Sequence, residues 1–437
     1  MPSHPPTRVS PWTPEARHAA LLGLVWSVLM TAFYAAGIFE RLEDRFLDWE
    51  ETVFHSAAPG NDFALIPVEH VPSDRPWPWP RLDFALLQRG LIPEHPQSVV
   101  YESLMHDEDP RFSAFDQSFR MLLDRTGPAV FAAAALQPPG QGELPAGARL
   151  LRSRGNPGPV AAFGSFLWPV ATFAAGRPVG VANLSSDPGE TVRRVPLVFR
   201  NGQKLVPSLA LAAAAVRIGA DLDQSELIPG SKIILRNAQG RALRTIPIDD
   251  EGRLRLRARR PGIAAGLLRI PYDDFLVYAD QMERGVKPAV DLRRLAGRQV
   301  WIGATDPAVA PPVRTAAGPR PPVELQLEAA AQIVRGDLIL NVPRGAVAAL
   351  FLITGVLLAW AAHGLGFFRA LAVVGGVTAA IFLLALGAFL LTGVHFPLLP
   401  FLILGAGAFL SSRAAGAWDH HSHHAPADRP PHARPRP

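Results

Sequence analysis

Residues 75–81 read Arg75-Pro76-Trp77-Pro78-Trp79-Pro80-Arg81, the densest chemical signal in the chain. Three prolines fix φ and remove backbone donors, so this piece is extended and stiff and holds two indoles between two guanidinium groups. Pro80 stands where a helix begins, a position that suits proline. Two readings stay open: a stiff connector whose tryptophans fill the core, or a rigid aromatic and guanidinium wall for a ligand or partner. Carboxylates stand around it in the sequence. Glu69 follows the strand expected over 63–68, Glu102 ends the next strand, and Asp107, Asp109 and Asp116 come after. At the carboxyl ends of the strands of an α/β sheet such groups line the usual ligand face. There they can hold a cation, a cationic ligand or Arg81, or serve as ordinary cap and loop carboxylates.

A second cluster lies in the tail, where His420, His421, His423 and His424 bracket Ser422. Neutral imidazoles ligate transition metals, and these four are a weak candidate metal site in a Pro- and Arg-rich end that supplies no rigid shell. No G-x-S-x-G, H-E-x-x-H, G-x-x-x-x-G-K or strand-linked G-x-G-x-x-G occurs, so neither an enzyme nor a cofactor is expected. The absence of cysteine excludes disulfides, thiol catalysis and thiolate metal sites. The +5 charge balance rests almost wholly on arginine, with only Lys204, Lys232 and Lys287 beside it. No basic block is interleaved with aromatics as single-strand binding requires, so nucleic acid is not an expected partner.

The elements that position these residues fall into two kinds. Four apolar runs, 19–38, 346–364, 370–393 and 396–412, meet or approach the roughly 20 residues that a bilayer core about 30 Å thick demands. Ala372, Gly376 and Ala380 recur every fourth residue, a spacing that lets another helix approach closely in lipid. Arg8, Arg17 and His18 precede the first run, which reads as an uncleaved signal anchor with its N-terminus inside. Residues 39–343 then lie outside, with a cytoplasmic tail at 1–18 and a His/Pro/Arg-rich one at 413–437. Within the outer segment, strands are expected over 63–68, 98–101, 129–134, 233–235, 267–270 and 299–302. Helices are expected over 39–54, 81–89, 112–124, 208–219 and 324–335. The alternation argues for an α/β layered domain, with 155–200 as an inserted lobe. In the 39–54 helix, Leu42, Phe46, Trp49 and Val53 form a stripe expected to pack, while its acidic residues form a solvated face.

This arrangement and several ordered motifs resemble the type-two CHASE domain, an extracellular sensory module of bacterial cyclases and histidine kinases. The WPWPR sequence is the first. Val179-Gly180-Val181-Ala182-Asn183 with Val192-Arg193-Arg194-Val195-Pro196-Leu197 resembles the family's "G-x-x-N … R-R-x-P-L" section. Pro207-Ser208-Leu209-Ala210 resembles its "P-S-L-A" helix, and Gly297-Arg298-Gln299-Val300-Trp301-Ile302-Gly303 its "G-K-x-V-x-I-G" strand. Pro322-Val323-Glu324-Leu325-Gln326 resembles its "G-V-E-x-H" helix. Glu69 and Glu102 stand where the family carries aspartate, and Gln326 and Leu327 replace the neighbourhood of its histidine.

The resemblance implies an α/β extracytoplasmic domain on an α-helical membrane anchor, one helix before it and three after. It implies a sensor or ligand-binding protein in a bacterial inner membrane, with Glu69, Arg75, Trp77, Trp79, Arg81, Glu102, Asp107 and Asp109 as candidate ligand-binding residues. The 24 residues after Arg413 are too few to fold as an output domain. Either relay to a separate partner such as a kinase or cyclase, or loss of signalling, is therefore expected, and a homodimer is a further option. The alternative is an envelope scaffold that binds other proteins and no small molecule.

Overall fold

The computed structural model describes residues 14–54, 60–74, 77–107, 113–136, 144–184, 191–257 and 267–422. The chain divides into two compact units, Glu50–Ile339 and the pair of segments Met1–Trp49 with Leu340–Pro437.

In the first unit a seven-stranded sheet runs Leu268–Arg269, Phe63–Val68, Gln299–Ala304, Ser98–Leu104, Ala129–Leu136, with Val179–Val181 and Ser165–Leu167 both pairing to the last of these. All pairings are parallel except that of Ser165–Leu167. Phe63–Val68 and Gln299–Ala304 are buried at every residue, which is why both read as unbroken apolar runs. Successive side chains alternate between the sheet's faces. Phe63 and Leu65 join a core with the helices Leu209–Ile218 and Pro322–Arg335. Ala64 and Ile66 join another with Arg81–Leu91, Ser113–Leu123 and Tyr272–Glu283. Ser208 caps Leu209–Ile218 by accepting the Leu211 N–H at 3.1 Å, and Gly219 closes it in the left-handed conformation.

The segment expected as an inserted lobe instead supplies two strands of this sheet, at 165–167 and 179–181. Gly180 permits it, since a Cβ there would sit 2.5 Å from the Ser208 carbonyl oxygen. Asn183 then extends the pairing with its side chain, accepting the Ala135 N–H at 2.7 Å and donating to the Ala135 oxygen at 3.0 Å. A second sheet, Ala242–Pro247, Lys232–Arg236, Asp221–Ile228 and Arg152–Ser153, packs one face on the core. Only its 233–235 strand was legible beforehand.

The second unit holds four helices long and apolar enough to cross a membrane: Ala16–Ala35, Arg344–Ala362, Phe367–Thr392 and Leu398–Ala415. Small residues mediate their close contacts. A Cβ on Gly23 would lie 2.6 Å from the Ala359 Cβ, one on Gly405 would lie 2.6 Å from the Thr378 hydroxyl, and one on Gly407 would collide with the Trp26 indole. The predicted Ala372–Gly376–Ala380 register is not among these contacts; Gly376 has open space around it. Arg413 donates to the Ala362 and Leu365 oxygens at 2.8 and 2.9 Å, satisfying the last carbonyl of Arg344–Ala362 and one in the turn that follows it.

The helix Glu40–Phe54 overturns the sequence expectation in part. Of the stripe, Phe46 is half-buried and packs on Phe382, but Leu42, Trp49 and Val53 are exposed. Of the acids, Glu40 is exposed and Asp44 and Asp48 half-buried, but Glu43, Glu50 and Glu51 are buried. Two specific bonds account for much of this. Glu43 accepts the Leu399 N–H at 2.7 Å, supplying an acceptor at the start of Leu398–Ser422, and Glu51 meets Arg257 at 2.7 Å.

Candidate ligand-binding site

The parallel strands of the main sheet end along one edge, and the sequence placed most of its candidates there. Glu69 follows Phe63–Val68, Glu102 lies near the end of Ser98–Leu104, and Asp107 follows that strand shortly after. Arg75 and Asp109 lie outside the described residues, as do His423 and His424. His420 and His421 fall in the helix Leu398–Ser422, and no group of three or more metal-ligating side chains occurs among the described residues.

Glu102 has the most distinctive setting. Tyr101 pairs with Phe131 but Leu104 pairs with Ala132, so Glu102 and Ser103 have no counterparts across the ladder. On the other side, registered pairing with Gln299–Ala304 ends at Tyr101 and Ile302. Such bulges are frequent beside functional sites because they re-aim a side chain and stop pairing. The Glu102 carboxyl lies over Gly303: a Cβ on that glycine would be 2.9 Å from Glu102 Oε2 and 2.7 Å from Val323 Cγ2. The Glu102 residue keeps some exposed surface, yet burial of its carboxyl lifts the pKa to about 8, against an opposing contribution from the Ala304 N–H. Ser103 is 2% exposed, and its hydroxyl has no hydrogen-bond partner among the described residues.

Glu69 belongs to a chain of charges instead. Arg269 stands 3.6 Å from Glu69 and bonds Glu324, while Arg320 contacts Glu324 at 3.3 Å and bonds Glu328. Burial opposes the Arg320 charge, but Glu328 and Glu324 outweigh it and hold its pKa above the ordinary value. Beyond Gln299–Ala304, Asp306 accepts the Val71 N–H at 2.7 Å and the Ala308 N–H at 2.9 Å. Those two bonds, Ala308 first, depress its pKa.

The stiff segment turns inward. Trp79 is 4% exposed, its ring 4.8 Å from Tyr272 and 5.5 Å from Trp77, and Trp77 packs on Phe84. This is the core-filling geometry of the two readings left open for the pair. Arg81 donates to the Asp107 carbonyl at 3.0 Å, lies 3.7 Å from Asp116 and stacks over Phe173. Thus Arg81 and Asp107 meet, while Glu69 and Glu102 have separate surroundings.

Gln326 stands in place of the histidine neighbourhood and is fully buried. It accepts the Ala210 N–H at 3.1 Å and donates to the Ala182 oxygen at 3.1 Å, joining two helices and a strand end. Sequence reasoning missed Ser103, Asp306, Arg269 and Arg320. None has a distinctive spacing; only the register of distant strands assembles them.

The fold and the edge together define an α/β module with ionisable side chains at the carboxyl ends of its parallel strands. The CHASE2 domain family matches residues 22–365, well over half of the sequence, and the chain belongs to that family, whose domains are sensory. The match begins inside the first apolar helix and ends just past the second. No curated protein and no solved structure matches the chain.

Proposed function

We propose that the chain is a membrane-anchored sensor whose unit Glu50–Ile339 lies on the outer side of a bacterial inner membrane. The carrying observation is the family match, which spans the α/β unit and an apolar helix on each side. Charge supports the orientation. Arg8, Arg17, Arg369 and Arg413 fall on the inner side of a four-span topology and the 393–395 segment has no Arg or Lys, against Arg344 at the outer boundary of the second span. A ligand that favours one arrangement of the sheet edge shifts the population toward it, and helix displacement relays the change to a separate partner. This reading needs no catalytic group.

The test is thermal unfolding of the detergent-solubilised full chain against a broad set of envelope metabolites. A ligand that binds only the folded state raises the apparent stability. One or more stabilisers is the expected result, and a uniformly unchanged transition removes the small-molecule reading. The scaffold reading draws on one observation: Leu82, Leu86, Met121 and Val277 are exposed on three neighbouring helices of the α/β unit. Recovery of a stoichiometric protein partner after crosslinking in membranes, without any stabilising metabolite, would favour it.

A further inference from the structure

Glu102 differs from Glu51, Asp116 and Glu328, which face Arg257, Arg81 and Arg320. Among the described residues no Arg, Lys or His lies within ion-pair distance of it, and no charged group contributes to its titration. The elements packed against it explain this. Gln299–Ala304 offers only the Ala304 N–H, and the Asp306 carboxylate beyond that strand is taken by Val71 and Ala308. Pro322–Arg335 brings Val323, while its Glu324 and Glu328 are engaged by Arg269 and Arg320. Ala129–Leu136 carries no ionisable residue. Glu69 is drawn to Arg269, and Asp107 is 3.0 Å from His106.

A carboxylate removed from water without a cation is strongly disfavoured, so the neutral acid is the form that fits this position. It fills the space over Gly303 beside Val323, the second residue of Pro322–Arg335. Once ionised, it demands hydration that this space does not supply. The bulge is where the strand is unpaired on both sides and can let the side chain swing outward. Departure of the side chain vacates the space over Gly303 that Val323 also borders, and so frees the first turn of that helix to move.

We infer that Glu102 is a proton-binding site, and that the sensory unit reads external pH through it. The neutral acid holds the sheet edge closed, and ionisation opens it under alkaline conditions. The pKa of about 8 places the transition just above neutrality. The inference rests on the sensory reading for its consequence, not for its measurement.

The experiment is an infrared titration of the full chain in lipid nanodiscs, with amide hydrogen exchange on the same sample. The carbonyl band of a neutral carboxylic acid should persist at neutral pH, vanish with a midpoint near 8, and be missing from Glu102→Gln. Exchange at Ala304 and at Glu324, whose N–H donates to the Pro321 oxygen at 3.1 Å in the first turn of the helix, should rise about tenfold through the same midpoint after correction for its intrinsic pH dependence, and stay flat in Glu102→Gln. Glu102→Asp should retain a titrating band with a displaced midpoint, which keeps the test open if the glutamine variant fails to fold. A band that disappears in the ordinary carboxylate range, or exchange with the same pH profile in wild type and Glu102→Gln, overturns the inference. A cytosolic location for the α/β unit would remove the sensory reading and leave this titration untouched.

Discussion

Two acidic side chains withdrawn from water in the same α/β unit are treated in opposite ways. Glu51, 1% exposed, meets Arg257 at 2.7 Å, and Arg257 also reaches Asp337 at 2.9 Å. Because Glu51 lies near the start of the unit and Asp337 near its end, one guanidinium ties the two ends together. Glu102 has a backbone N–H and no cation among the described residues. A buried ion pair adds little net stability, but each member makes the other hard to remove. An unpaired acid places no such constraint on its surroundings and can change charge state within the folded protein. The paired acid is therefore read as a fastening and the unpaired one as a responsive group.

Removing the cation from the fastening gives the largest expected effect. Arg257→Ala leaves Glu51 and Asp337 without it and should cost about 3–5 kcal/mol in the unfolding of the purified chain. An unchanged unfolding temperature would erase the contrast. The pH dependence at Glu102 comes next. Its folded pKa of about 8 exceeds the ordinary 4.5, so the folded state keeps a proton that the unfolded chain releases. Stability therefore falls as pH rises from the lower value to the higher and levels off above it. The loss is bounded by roughly 5 kcal/mol, and about half of that is expected where the residue still touches solvent. Thermal scans across this window should show the decline in wild type and not in Glu102→Gln.

Gln326→Ala should cost roughly 1–3 kcal/mol in the same unfolding assay, by leaving the Ala210 N–H and Ala182 oxygen unsatisfied. Gly303→Ala should lose roughly 1–2 kcal/mol through crowding of Val323, and should also displace the Glu102 transition in an infrared titration. The smallest effect has the opposite pH sign. The depressed pKa of Asp306 contributes stability above its unfolded value near 3.8, lost as pH falls through the folded value. Asp306→Asn should flatten the acid side of the stability profile and leave the alkaline side unchanged.

Much of this frame was legible from pattern. Continuous apolar runs marked Phe63–Val68 and Gln299–Ala304, and helical periodicity marked Arg81–Leu91 and Pro322–Arg335. Apolar length marked the four long helices. The edge carboxylates were legible because strand ends collect them. What could not be read was decided by distant partners. The Glu40–Phe54 helix shows an apolar stripe, yet three of its acids are buried, and the partners shown for two of them are far away in sequence: Arg257 for Glu51 and the Leu399 N–H for Glu43. The bulge that sets Glu102 apart is a property of register between strands, and no local composition announces it. Gln326 gave a motif position but not its part in joining two helices and a strand.

The location of the α/β unit is the claim from which the sensory reading follows. The chain has no cysteine, so one introduced at the exposed Lys204 is a unique thiol for a membrane-impermeant maleimide. Lys204→Cys should label in intact spheroplasts, while a Ser3→Cys control in the N-terminal tail labels only after lysis. Labelling of position 204 only after lysis would place the unit in the cytosol and contradict the account.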